Sequence, residues 1–123
     1  MTAAVVALAL LAALAVFQAL LIAGRPLGRF AWGGQHEVLP TGYRVGSAVS
    51  IVLYAAFAVL ILQAAGVISP LPDGFADVAI WVLTGYFALG IVLNAISRSR
   101  PERVVMTPVV TVLAACCLVL ALD

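Results

Sequence analysis

The sequence predicts an all-α fold: a polytopic membrane protein, an up-down bundle of four transmembrane helices. Composition is the first reason. Of 123 residues 66% are hydrophobic and 9% are charged, with a mean hydropathy of +1.26, against roughly 45–50% and about 25% in soluble domains. A soluble chain this short leaves most residues partly exposed and cannot hide so much apolar surface. Disordered and disulfide-framework classes are excluded with it. The second reason is where the charges fall. They leave four charge-free stretches, 1–24, 45–72, 78–97 and 104–122, each near or above the roughly 20 residues that span a bilayer core of about 30 Å. Backbone groups in lipid must be hydrogen-bonded internally, so such stretches cross as helices. The alternating pattern of a membrane β-strand is not present.

Each element has a local argument, within a single domain 1–123. Helix one covers about 2–23. It has no positive residue before Arg25, unlike a cleavable signal peptide, and reads as a retained anchor. Helix two covers about 46–68, starting near Gly46 and stopping before Ser69-Pro70-Leu71-Pro72, where two close prolines cannot continue it. Helix three covers about 74–96, with Asp73 as N-cap and Asp77 in the first turn, against the positive end of the dipole. Helix four covers about 101–122, with Ser99 as cap and Pro101 in the first turn; Pro108 then falls inside it and favours a kink.

Orientation follows from the arginines. All six basic residues, Arg25, Arg29, Arg44, Arg98, Arg100 and Arg103, fall in the first and third loops, and the second loop carries Asp73 and Asp77 alone. The positive-inside rule puts loops 24–45 and 97–103 in the cytoplasm and both termini outside. The same six arginines are candidates for gripping anionic lipid headgroups, and Glu37 and Glu102 are candidates to pair with them and tie the two loops together. The first loop is rich in glycine, proline and aromatics, including Phe30, Trp32 and Tyr43. Lying on the membrane surface is its simplest role; a re-entrant or ligand-gripping loop is the sharper one.

Chemistry-bearing residues are few. His36 is the one histidine, followed by Glu37, and no second His or cytoplasmic Cys completes the three or four ligands of a zinc site; it reads as solvated or interfacial. Cys116 and Cys117 are adjacent, lack the C-x-x-C spacing of a thiol oxidoreductase, and read as small packing residues. No nucleotide-binding or nucleophile-elbow pattern is present, so no catalytic residue, metal or cofactor is expected and the chain does not read as an enzyme. The spans hold no ionisable group in their apolar stretches, unlike ion-coupled pumps. They do hold neutral polar residues: Gln18, Ser47, Ser50, Tyr54, Tyr86 and Asn94. Ser47, Ser50 and Tyr54 share one helical face, and Tyr86, Gly90 and Asn94 another. These faces are expected to meet and hydrogen-bond in the cytoplasmic half of the bundle; a shallow polar cavity open to the cytoplasm is the alternative.

The segments NAISRSRPERVVMTP, from Asn94 to Pro108, and GRFAWGGQHEVLP, from Gly28 to Pro40 within the first loop, resemble small uncharacterised four-helix membrane proteins of GC-rich bacteria. The resemblance covers most of the chain and implies a fold and a membrane, but no activity. Small multidrug exporters and fluoride channels share the size, yet the intramembrane glutamate of the former and the glycine-rich arginine motif of the latter are not found here. The expectation is a structural, accessory or lipid-interacting component of the bacterial inner membrane, with the bilayer, anionic headgroups, a membrane-protein partner or a second copy as partners and no nucleic acid. The alternative is a small homo-oligomeric transporter or channel.

Overall fold

A computed structural model describes all of residues 1–123. It contains four long helices and no strand: α1 (Thr2–Ile22), α2 (Thr41–Ala64), α3 (Asp73–Ala95) and α4 (Arg100–Leu122). They run 21 to 24 residues, or about 32–36 Å at about 1.5 Å per residue, and each is long and apolar enough to cross a membrane. Only 19 of 123 residues are buried, while large apolar side chains such as Val52, Trp81, Val82 and Ile96 point outward. Such a surface is stable only where the solvent is itself apolar. This is a multi-pass membrane protein.

The helices form a ring. α1 packs between α2 and α4, α3 packs extensively on α4, and the α2–α3 seam that closes the ring is its loosest contact. Two apolar clusters hold it. The larger fills the half nearest the α2–α3 turn, with Leu11, Ile61, Ile80, Leu83, Leu113 and Leu120 at its centre; Cys116 and Cys117 are buried in it. The smaller sits at the arginine end, where Leu21, Ala31 and Leu39 pack beneath the first loop.

Helix ends show where local chemistry overrides the charge pattern. α2 begins at Thr41, five residues before the expected Gly46, because Pro40 is extended at ψ 162° and its carbonyl already accepts from Arg44 N. The Arg44 side chain turns back to donate to Leu39 O at 2.7 Å, so its charge does not interrupt the helix. α2 ends at Ala64, four residues short of the expected 68. Gly66, at φ +80°, closes it: Gly66 N bonds Gln63 O and Val67 N bonds Leu62 O, both at 3.0 Å, a Schellman stop that suits glycine. Gln63 then pins the following turn, donating to Leu71 O at 2.7 Å and accepting from Leu71 N at 3.1 Å. At α3 the cap is Pro72 rather than Asp73, which instead occupies the first turn. α4 starts as the sequence predicts, with Ser99 Oγ accepting from Glu102 N, and it continues through Pro108.

Candidate functional site

A cavity of about 310 Å³ lies between the two apolar clusters, walled by all four helices and roofed by the first loop. The roof is a folded structure. Two short 3-10 turns, Gly28–Phe30 and Trp32–Gly34, carry it across the bundle end. Gly28 N donates to Glu37 O at 2.8 Å, closing the loop on itself. A side chain at Gly28 would run into the His36 carbonyl, so only glycine allows this crossing. Trp32, Gly33 and Gly34 follow with φ of 54°, 74° and 71°. Trp32 is the one non-glycine residue in the left-handed region, a placement that costs about 1–2 kcal/mol. Its ring is held against Gly46 of α2 and stands 5.5 Å from Tyr43.

Two contacts hook the roof to the start of α4. Ser99 Oγ donates to Arg29 O, and Gly33 N donates to Glu102 Oε2 at 3.3 Å. Glu102 is buried at 8% exposure. The two glutamates follow the expectation only in part: one pairs with an arginine, but no ion pair ties the loops. Glu37 pairs with Arg29 of its own loop at 3.6 Å, with both side chains about half exposed or more, and Glu102 pairs with no arginine. A backbone amide, where an ion pair is expected, ties the two loops. An exposed pair such as Arg29–Glu37 contributes up to about 1 kcal/mol.

All six arginines lie at this end. Arg25, Arg98 and Arg100 are exposed. Arg103 donates to Ser97 O at 3.0 Å, Arg44 lies beside Gly24, and the Arg29 guanidinium sits 4.8 Å from the centre of the Phe30 ring. His36 is exposed and stands 5.5 Å from Tyr43.

The intramembrane polar residues do not make the α2–α3 hydrogen bonds expected of them. Ser50 donates to Gly46 O at 3.0 Å and Asn94 to Gly90 O at 2.8 Å, each within its own helix. Tyr54 receives Gln18 Nε2, from α1, at 3.3 Å. Ser47 Oγ is buried with no partner, outside the cavity. Ser50 and Tyr54 on one side, and Tyr86, Gly90 and Asn94 on the other, line the cavity instead of meeting. A seam this loose leaves polar side chains nearer to their own backbone than to the facing helix, and short polar side chains bond back to the carbonyl four residues earlier.

Sequence reasoning missed the burial of Glu102 and the role of Trp32. The Ser99-Arg100-Pro101-Glu102 pattern reads as a capping box, which would turn the carboxylate onto its own helix end. Here Ser99 N takes a hydrogen bond to Ser97 Oγ, freeing Glu102 for Gly33. The adjacent Gly33-Gly34 was the one available sign of a tight loop near an aromatic. Comparison with protein-family models, curated proteins and solved structures finds no match to this chain.

Proposed function

We propose that this chain is a structural or accessory component of the bacterial inner membrane that engages anionic lipid headgroups through its arginine-rich, cytoplasmic end. The exposure of Arg25, Arg98 and Arg100 carries the reading: no carboxylate neutralises them, since Glu37 is taken by Arg29 and Glu102 is buried. Clustered guanidinium groups at a membrane interface attract anionic headgroups by about 1 kcal/mol each. The opposite end carries Asp73, Asp77 and Asp123 and no base, which supports placing it outside. A channel through one protomer is disfavoured, because the larger apolar cluster fills the other half of the bundle.

Mass spectrometry of the protein released from mixed nanodiscs of phosphatidylglycerol and phosphatidylcholine tests the reading. Phosphatidylglycerol should be retained preferentially, and the preference should vanish in a triple Arg98→Gln, Arg100→Gln, Arg103→Gln variant. Equal retention of the two lipids by the native protein would overturn it. Orientation has its own test. A cysteine probe at Ser69, with Cys116 and Cys117 replaced by alanine, should be labelled by a membrane-impermeant thiol reagent on intact cells. Labelling only after permeabilisation reverses the topology.

A further inference from the structure

The cavity has chemistry opposite to that of the arginines around it. Its lining contains no Arg, Lys or His and one carboxylate, Glu102. Glu102 receives a single amide hydrogen and has no basic partner. Gln18, also 8% exposed, spends its amide hydrogen on Tyr54 and leaves Oε1 buried without a donor. One buried acceptor at the cavity, Gln18 Oε1, therefore lacks a hydrogen, and an unmet buried acceptor is costly. Six aromatic rings stand in the same wall: Phe17, Phe30, Trp32, Tyr54, Tyr86 and Phe87. A carboxylate among aromatic faces is complementary to a cation that donates hydrogen bonds.

The shape adds a second requirement. Tyr86, Leu89 and Leu93 of α3 line the cavity and are more than half exposed, so it opens sideways to lipid along the loose α2–α3 seam. Further along that seam, and sharing Tyr86, runs a groove of about 360 Å³ lined entirely by apolar residues, among them Phe57, Leu60, Phe75, Val78 and Val82. Tyr86, whose ring packs on Phe57 of α2, stands between the polar-headed cavity and the apolar groove and lines both.

We propose that the α2–α3 seam binds one amphiphile with a protonated amine head: the ammonium sits at Glu102 among the aromatic rings, Gln18 is the second acceptor, and the apolar chain runs past Tyr86 into the groove. A membrane aminophospholipid and a free long-chain amine share this chemistry. This goes beyond headgroup binding at the arginines and does not depend on it.

The test uses the intact protein in maltoside micelles with Trp81→Phe, which leaves Trp32 in the cavity wall as the sole tryptophan. Trp32 fluorescence is titrated with dodecylamine, dodecanol and dodecanoate at neutral pH. Dodecylamine should give a saturable change, and the alcohol and acid only the gradual drift of partitioning into micelles. Glu102→Gln should weaken dodecylamine binding tenfold or more. Gln18→Leu, which removes an orphaned acceptor and should fold readily, should weaken it severalfold, while the triple arginine variant should bind dodecylamine as the native protein does. Equal responses to amine and alcohol, or native binding in folded Glu102→Gln and Gln18→Leu, would overturn the proposal. Nanodiscs of phosphatidylethanolamine and phosphatidylglycerol separate the sources. Retained phosphatidylethanolamine that dodecylamine displaces assigns the site to lipid; dodecylamine bound with no phosphatidylethanolamine retained assigns it to free amines. Displacement of phosphatidylglycerol instead would refute the charge argument.

Discussion

Gly33 and Glu102, 69 residues apart in sequence, meet through one hydrogen bond from the glycine amide to Oε2 at 3.3 Å. With the Ser99–Arg29 contact it hooks the first loop to the start of α4. A hydrogen bond to a carboxylate contributes about 1.5–3 kcal/mol, and one this long belongs at the low end of that range. Glu102→Ala should therefore raise the population of the open loop about tenfold. Trypsin cleavage after the exposed Arg29 reports that population directly when opening is fast. Glu102→Gln keeps an acceptor oxygen and should be cleaved at nearly the native rate; identical rates for Glu102→Ala and the native protein would show that the hook does not hold the loop.

Two glycines of the loop, Gly33 and Gly28, should respond differently. At Gly33 a methyl group meets nothing within 4 Å, so Gly33→Ala carries only the left-handed backbone penalty, about 1–2 kcal/mol. At Gly28 a methyl group would collide with the His36 carbonyl, and the loop must open to admit it. Gly28→Ala should thus be cleaved faster by trypsin than Gly33→Ala, with the bond from Gly28 N to Glu37 O lost. The reverse order would mean that backbone conformation outweighs the close approach.

Gln63 makes two hydrogen bonds to Leu71 that pin the α2–α3 turn. Gln63→Leu preserves size and removes both, with an expected loss of about 1–3 kcal/mol. Thermal unfolding in micelles should show a lower midpoint with an unchanged folded circular dichroism spectrum. An unaltered midpoint would place the turn's stability elsewhere.

Ser50 and Asn94 bond within their own helices rather than to each other. In a double-mutant cycle of Ser50→Val and Asn94→Leu, the coupling energy should stay below about 0.5 kcal/mol, the value for independent sites. A coupling of about 1 kcal/mol or more would bring the two faces into contact after all.

Hydropathy and charge grouping were enough to expose the four helices, since both follow directly from the lipid solvent. The ends of α2 were less legible. Arg44 and Gly42 look like loop residues until Pro40 is seen to start the helix, and Gly66 stops it before the prolines do. The cavity was least legible of all. It depends on α2 and α3 standing apart, on Trp32 taking a left-handed backbone, and on Ser97 satisfying Ser99 N so that Glu102 turns inward. Each of these is a long-range or conformational choice with no periodic trace. The same looseness explains why the two polar faces do not hydrogen-bond across the seam as expected.

The ring of helices is unevenly stitched. α1 with α2 and α3 with α4 are the intimate pairs, joined across mainly by α1 and α4. The protein is thus two helical hairpins joined along α1 and α4, with the Phe57 ring against Tyr86 and Phe87 as the aromatic clasp on the looser α2–α3 side. The α1–α2 hairpin, made first, already holds its own close pairing before α3 and α4 are synthesised. A chain severed after Leu71 would keep the Gln63 pin on the first piece and leave the α1–α4 packing and the loop's hooks on Ser99 and Glu102 to join the two halves.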